Sequence, residues 1–190
     1  MFFAYIFAGV LVFWLIAKHM NKQRNHEKAV EKVSARLKKI CGKPGEVLKN
    51  ATLNLPDGEM TFDAVLMDKR GIYLVRTYGW GIKIYGTPDG AMWRREDAKR
   101  KEEFENPLLN LKKGAEEIGK IMEENGVHNL KVMPMVVFAD NYQTPELYLG
   151  YGSFSTTYQE LKNWYKKQSG VKEVQYDYDK VSSIIKELAK

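Results

Sequence analysis

The tripeptide Pro-Asp-Gly occurs twice, at residues 56–58 and 88–90, and both copies separate extended runs of residues. Proline presets the backbone angle at the start of a tight turn and glycine accepts a positive φ, so this tripeptide between two such runs predicts a β-hairpin. A third turn is predicted at residues 68–71. The predicted strands are Val47–Leu55, Met60–Met67, Ile72–Tyr78, Gly81–Gly86 and Ala91–Trp93. The first half of the chain is therefore expected to contain an antiparallel β-meander.

Helices are predicted before and after this meander. Apolar residues recur at helical spacing over Glu27–Cys41, after Asn106-Pro107 with Asn106 as the predicted cap, after a capping box at Thr157 and Glu160, and after the predicted cap Asp179. Strands are predicted at Lys131–Ala139, with a bulge or edge at Pro134, and at Val171–Tyr176. The charged stretch Arg94–Glu105 is predicted to be a solvated loop. The predicted fold class is α/β, with a mixed β-sheet flanked by helices.

Composition narrows the class of protein. A chain of 190 residues with 44% hydrophobic residues suits one domain of ordinary size with a real core. Disorder over most of the length is excluded, because a disordered chain has far fewer apolar residues. Cys41 is the single cysteine, so it forms no internal disulfide and a reducing compartment is expected.

The N-terminal segment predicts a membrane anchor. Residues 2–17 carry no charged side chain, and as a helix they would rise about 24 Å. A cleaved signal peptide is the first alternative, but the basic start and small-residue cleavage site that it needs are missing. A buried core helix is the second, but aromatic residues surround every face. Residues 1–20 are therefore predicted to be a transmembrane helix, residues 21–26 a basic stalk, and residues 27–190 the main domain.

Charge is distributed unevenly along the chain. Residues 18–49 hold ten Lys or Arg and three Glu, 10 − 3 = +7, so residues 50–190 sum to 6 − 7 = −1. By the positive-inside rule, the cluster after the uncharged run places the main domain in the cytoplasm, with the chain as a single-pass protein of the cell membrane. The same cluster is expected to attract anionic lipid head groups. Its members are Lys18, Lys22, Arg24 and Lys28.

Several common catalytic motifs are missing. His19, His26 and His128 have no partner at a spacing that suits zinc. The sequence contains no P-loop, no dinucleotide-binding glycine motif and no nucleophile elbow, which argues against ATP, NAD and serine-hydrolase chemistry.

One family resemblance stands out. Residues 47–86, with Trp93, Asn106-Pro107-Leu108 and the strand Val136-Val137-Phe138, resemble the nuclease-related domain (NERD), a relative of the PD-(D/E)xK nucleases. The resemblance covers roughly residues 27–164 and implies a restriction-endonuclease-like fold, with a C-terminal helical extension here.

The resemblance also implies a metal site. Members are expected to place a helical Glu, a strand Asp and an E-x-K strand around Mg²⁺ or Mn²⁺, which polarises a phosphodiester and activates water. In this chain Glu27 matches the helical Glu, although the usual preceding glycine is His26, and Asp63 matches the strand Asp. The E-x-K acid is replaced by Arg76 and its lysine by Tyr78.

These replacements predict an altered site. Arg76 is expected to repel a divalent cation and to pair with Asp63, so no cofactor is expected and the domain is predicted to be catalytically inactive. The alternative is an active Mg²⁺- or Mn²⁺-dependent nuclease with a rearranged site, for which Glu59 and Lys83 are candidates.

The expected function is a cytoplasm-facing binding or scaffold module at the membrane. Its predicted partners are a nucleic acid, a membrane protein, or both. A basic patch for a nucleic acid is predicted among Arg94, Arg95, Lys99, Arg100 and Lys101.

Overall fold

The computed structural model describes residues 2–23, 26–79, 82–140, 143–168 and 176–189. Within these ranges the helices are α1 (Phe2–Gln23), α2 (His26–Cys41), α3 (Pro107–Glu124), α4 (Leu161–Gln168) and α5 (Tyr178–Leu188). The strands are β1 (Glu46–Leu55), β2 (Gly58–Asp68), β3 (Gly71–Tyr78), β4 (Lys83–Gly86), β5 (Met92–Glu96), β6 (Lys101–Glu105), β7 (Val132–Phe138), β8 (Glu146–Leu149) and β9 (Ser155–Thr157).

The first sheet has the strand order β1-β2-β3-β7-β9. Its first three strands are antiparallel, as the turn tripeptide at residues 56–58 predicts, and β3, β7 and β9 are parallel. Helices α2 and α4 cover one face of this sheet through residues such as Val33 and Leu161. Helices α3 and α5 belong to the core cluster on the other face, with Leu108 and Ile185 fully buried.

The second sheet has the order β6-β5-β4-β8 and contributes Ile84 and Trp93 to the same core cluster as α3. It contains the main error of the sequence prediction. Residues 94–105 are not a solvated loop, because β5 continues to Glu96 and β6 pairs with it from Met92↔Glu105 to Glu96↔Lys101. Opposite charges face each other across this hairpin, so a charged sequence still forms a ladder.

The predicted α/β class, with mixed sheets and flanking helices, is confirmed, although the strands form two sheets rather than one. Pro134 lies in β7 beside Leu74 of β3. Strand β9 pairs with β7 only from Val136 onward, so Pro134 lies where β7 has a neighbour on one side. This position tolerates a residue without a backbone N–H.

Helix caps explain where α3 and α5 begin. The Asn106 side chain accepts a hydrogen bond from the Leu108 N–H at 3.0 Å, as predicted. Helix α5 is capped by Asp177, which accepts from the Lys180 N–H, and not by the predicted Asp179. Both are acidic residues beside the same first turn, so composition alone does not separate them. Most of the predicted strand at residues 171–176 lies outside the described residues.

The side chains of helix α1 whose burial is described are exposed to solvent. Phe7 and Phe13 are about three-quarters exposed, at 73% and 74%. Among the described residues, however, no helix is both long enough and apolar enough to cross a membrane. The predicted transmembrane helix at residues 1–20 is therefore not supported. Its uncharged run has only sixteen residues before Lys18, which is short of a ~30 Å hydrocarbon core.

Candidate functional site

The site implied by the sequence is centred on Asp63 of β2. This aspartate is buried in the first sheet at a position where the regular pairing of β2 with its neighbours is interrupted. The β2–β3 ladder ends at Ala64↔Val75, and one further step in this register would place Asp63 opposite Arg76. On the other side of β2, the same arithmetic places Asp63 opposite Asn50, whose φ of 50° is left-handed. Regular pairing is interrupted on both sides, which makes room for a polar side chain that is only 4% exposed.

Three groups satisfy the two carboxylate oxygens of Asp63. Its Oδ2 accepts a hydrogen bond from the Thr77 backbone N–H at 2.6 Å. Its Oδ1 lies 3.4 Å from Arg76 Nη1 and 3.3 Å from His26 Nε2. The Arg76 guanidinium also donates to the Thr61 carbonyl at 2.8 Å, which fixes its position. The predicted pairing of Arg76 with Asp63 is therefore present, and both side chains lie on one side of the sheet.

His26 is a site residue that the sequence prediction missed. It is the first residue of α2, and its imidazole is 61% exposed while it contacts the buried Asp63. The only indication in the sequence is its position immediately before Glu27, where the resemblance expects a glycine. A glycine there would have no side chain, so the histidine adds a third partner to the carboxylate.

The other two positions of the implied site behave differently. Glu27 lies in the first turn of α2 and is exposed. Tyr78 does not take the place of the lysine, because its ring stacks on Phe138 at 5.7 Å and tilts against Phe104 at 5.4 Å. Burial raises the pKa of the Tyr78 phenol despite the nearby Arg76. Tyr78 is therefore neutral at physiological pH and part of an aromatic cluster.

These side chains do not fit the divalent cation that the resemblance implies. The Asp63 oxygens already accept hydrogen bonds or contacts from three groups, and the Arg76 guanidinium is one of them. Elsewhere in the described ranges, too, no three His, Cys, Asp or Glu side chains form a group that suits a metal ion. A hard cation needs several free oxygen ligands, and this arrangement offers a cationic neighbour instead.

The residues of the alternative site are far apart in the topology. Glu59 is exposed at the start of β2 in the first sheet. Lys83 begins β4, which belongs to the second sheet and pairs with β5 and β8. Lys83 therefore does not lie on a strand that pairs with the strand of Asp63. A short connection after β3 does not force β4 to pair with it.

The predicted basic patch lies on the β5–β6 hairpin, and its charges are largely compensated. Arg95 forms a salt bridge with Glu102, and Lys101 Nζ lies 3.3 Å from Glu96. Arg94 covers the ring of Tyr85 at 4.8 Å. Lys99 and Arg100 flank a turn in which the Asp97 carboxylate accepts both of their backbone N–H groups at 2.8 Å. The role of this patch in binding remains a prediction.

Asp63 on β2 contacts the start of α2 through His26 and the neighbouring strand β3 through Arg76, and the resemblance to nuclease-related domains expects the site at these elements. The sequence comparison agrees with this class. Residues 22–139 match the nuclease-related domain, NERD, which is more than half of the chain. The chain therefore belongs to the NERD family.

A relative is known from Bacillus anthracis. It is 30% identical over 112 residues, which is 58% of this chain and 52% of the relative, and it is described as an uncharacterized protein. The chain thus matches about half the length of this curated relative. No solved structure matches the chain.

Proposed function

We propose that this NERD-family chain has lost nucleic-acid cleavage and acts as a binding or scaffold module for a nucleic acid or a protein partner. The observation that supports this proposal is the Arg76 guanidinium against Asp63, at the position where the resemblance expects an acidic ligand. Family membership supports a nuclease-related function. The replacement at position 76 affects the cleavage step and leaves the binding of a partner possible.

Coulomb's law gives the size of the effect of Arg76 on the binding of a divalent cation. Two unit charges about 4 Å apart interact by about 4 kcal/mol at an effective dielectric constant near 20. An acid at position 76 would contribute this energy favourably to cation binding, whereas Arg76 contributes repulsion. The guanidinium is about one-third exposed, so solvent screens part of the effect. Even half of this energy weakens cation binding by more than tenfold.

The proposal predicts no metal-dependent cleavage by the full chain. Labelled single- and double-stranded DNA and RNA would be incubated with the protein in Mg²⁺ or Mn²⁺ and resolved on denaturing gels. The expected result is a background rate equal to that of the Asp63→Ala variant. A thermal-unfolding curve measured beside each assay would show that the sample is folded. Cleavage that needs the metal and disappears in Asp63→Ala would establish the rearranged nuclease instead.

We further propose that α1 holds the chain at the cell membrane, with the NERD domain on the cytoplasmic side. Its exposed apolar side chains support this, with Phe7, Phe13 and Trp14 each more than half exposed to solvent. Of the predicted basic cluster, Lys28 lies in the first turn of α2 and is exposed. Arg24 lies outside the described residues. An uncovered apolar helix is unfavourable in water and is stabilised at a lipid interface.

This location can be checked by vesicle flotation. The full chain is expected to float with neutral phosphatidylcholine vesicles in 1 M salt, because apolar burial resists salt. A chain without residues 2–17 is expected to stay at the bottom of the gradient. If flotation needs anionic lipid and is lost in high salt, the basic cluster rather than α1 provides the attachment. If neither chain floats, the membrane proposal is wrong.

A further inference from the structure

A concave groove lies between α2 and α4, on the sheet face opposite to α3. Its volume is about 600 Å³, and ten residues line it. Six of the ten are basic and none is acidic. Helix α2 supplies three of the cations, α4 supplies two, and the β2–β3 turn supplies one; they are Lys32, Arg36, Lys39, Lys162, Lys166 and Arg70.

The two arginines are held in place by contacts that leave their charge intact. Arg36 lies over the ring of Tyr158 at 4.5 Å and donates to the Gln159 carbonyl at 3.4 Å. Arg70 lies over the ring of Tyr165 at 4.2 Å and donates to the Tyr165 carbonyl at 3.1 Å. Tyrosine faces and carbonyl oxygens orient a guanidinium without neutralising it. An anion entering the groove therefore meets preorganised donors.

The floor of the groove is rigid as well. The Tyr165 hydroxyl donates to the carboxylate of Asp68, which also accepts the Arg70 backbone N–H at 2.9 Å. Asp68 is 3% exposed and does not line the groove. The Asp68 carboxylate thus fixes the tyrosine and the turn. On the β5–β6 hairpin Arg95 and Lys101 each face a glutamate, whereas the guanidinium groups of Arg36 and Arg70 face tyrosine rings and carbonyl oxygens.

We infer that this groove binds the sugar-phosphate backbone of a single-stranded nucleic acid. Both walls carry cations, so a strand lying between α2 and α4 would be contacted from two sides. A flat lipid surface would meet only the rim. From Lys32 to Lys39 the α2 cations extend over about 10 Å at 1.5 Å per residue, which is long enough for more than one phosphate. Basic grooves with aromatic side chains are typical of strand-binding surfaces.

The groove is separate from the Asp63 site. Residue His26, which contacts Asp63, begins α2, whereas the groove uses the part of α2 from Lys32 to Ile40. The inference rests on the binding half of the proposed function and not on the loss of cleavage. Binding can therefore be measured in EDTA, and its outcome is independent of any metal-dependent activity.

The test is fluorescence anisotropy of a labelled 20-nucleotide single strand with the full chain in neutral detergent and EDTA, at several salt concentrations. The groove variant is Lys39→Gln with Lys162→Gln, because both side chains are exposed and neither supports the core. The matched control is Lys120→Gln with Lys180→Gln, which removes the same charge from exposed positions of α3 and α5 on the opposite side of the first sheet. A second control, Lys39→Arg with Lys162→Arg, keeps the charge.

The groove variant is expected to bind at least tenfold more weakly at low salt. The slope of log K against log salt should become shallower by about 1.4, since each lost phosphate contact on a single strand changes it by about 0.7. Both control variants should bind within twofold of the wild type. Equal losses in the two glutamine variants would show a diffuse charge effect and overturn the inference. So would binding to anionic vesicles without any binding to the strand, or no binding by the wild type.

Discussion

Replacing Asp63 with alanine is expected to lower the free energy of unfolding by about 3 kcal/mol. The variant leaves the buried Thr77 N–H without its acceptor, which costs about 1–3 kcal/mol. The partly exposed Arg76 loses an ion pair that contributes up to about 1 kcal/mol. For a chain of this size the melting temperature should fall by about 6–12 °C, measured by circular dichroism or calorimetry.

The matched control is Asp63→Asn, which keeps an oxygen for the Thr77 N–H and removes only the charge. It should cost about 1 kcal/mol, well below the alanine variant. If the two variants destabilise equally, the contacts of the Asp63 charge with Arg76 and His26 outweigh the backbone hydrogen bond. If neither destabilises the protein, Asp63 is not the structural anchor that its contacts indicate.

Arg76→Glu is expected to convert the site into one that responds to a divalent cation. Two carboxylates then face each other near 4 Å, and their repulsion of about 4 kcal/mol should make the variant much less stable in EDTA. Millimolar Mn²⁺ should restore most of this loss, because a ligand at 100 times its dissociation constant stabilises by about 2.7 kcal/mol. The measurement is the melting temperature with and without Mn²⁺.

The control for this prediction is Arg76→Gln, which removes the positive charge without adding a ligand. It should show little response to Mn²⁺, and the wild type none. A stabilisation of the wild type equal to that of the glutamate variant would show that the cation binds despite the guanidinium. The proposed loss of cleavage would then have to be abandoned.

The sequence was sufficient to predict the first three strands of the first sheet, the strand β7 and the central contact of the site. Pro-Asp-Gly turns fix hairpins locally, and strands rich in β-branched residues and leucine, such as β3, admit few other interpretations. The pairing of Arg76 with Asp63 followed from the matching of both residues to known positions. These features depend on short stretches of sequence, so they can be predicted without knowledge of the fold.

Features that depend on distant residues were not predicted. The β5–β6 hairpin was assigned to a loop, because its charges are typical of solvent and the cross-strand pairing of Arg95 with Glu102 is visible only in the fold. The groove was missed for a similar reason. Its cations come from α2, from the turn at Arg70 and from α4, and the α4 cations are more than 90 residues away from the others along the chain. Counted locally, the α2 cations simply added to the basic excess near the N-terminus.

Strand β6 forms one edge of the second sheet. Its composition affects whether the sheets of two copies can pair edge to edge. An open edge offers unpaired backbone groups to any passing strand, which is a common route to aggregation. Here the edge has the sequence Lys-Glu-Glu-Phe-Glu, and among the described residues only Glu102 of its three glutamates forms a salt bridge. A second copy approaching in register would bring these like charges together. The charged hairpin therefore disfavours edge-to-edge pairing of the second sheets of two copies.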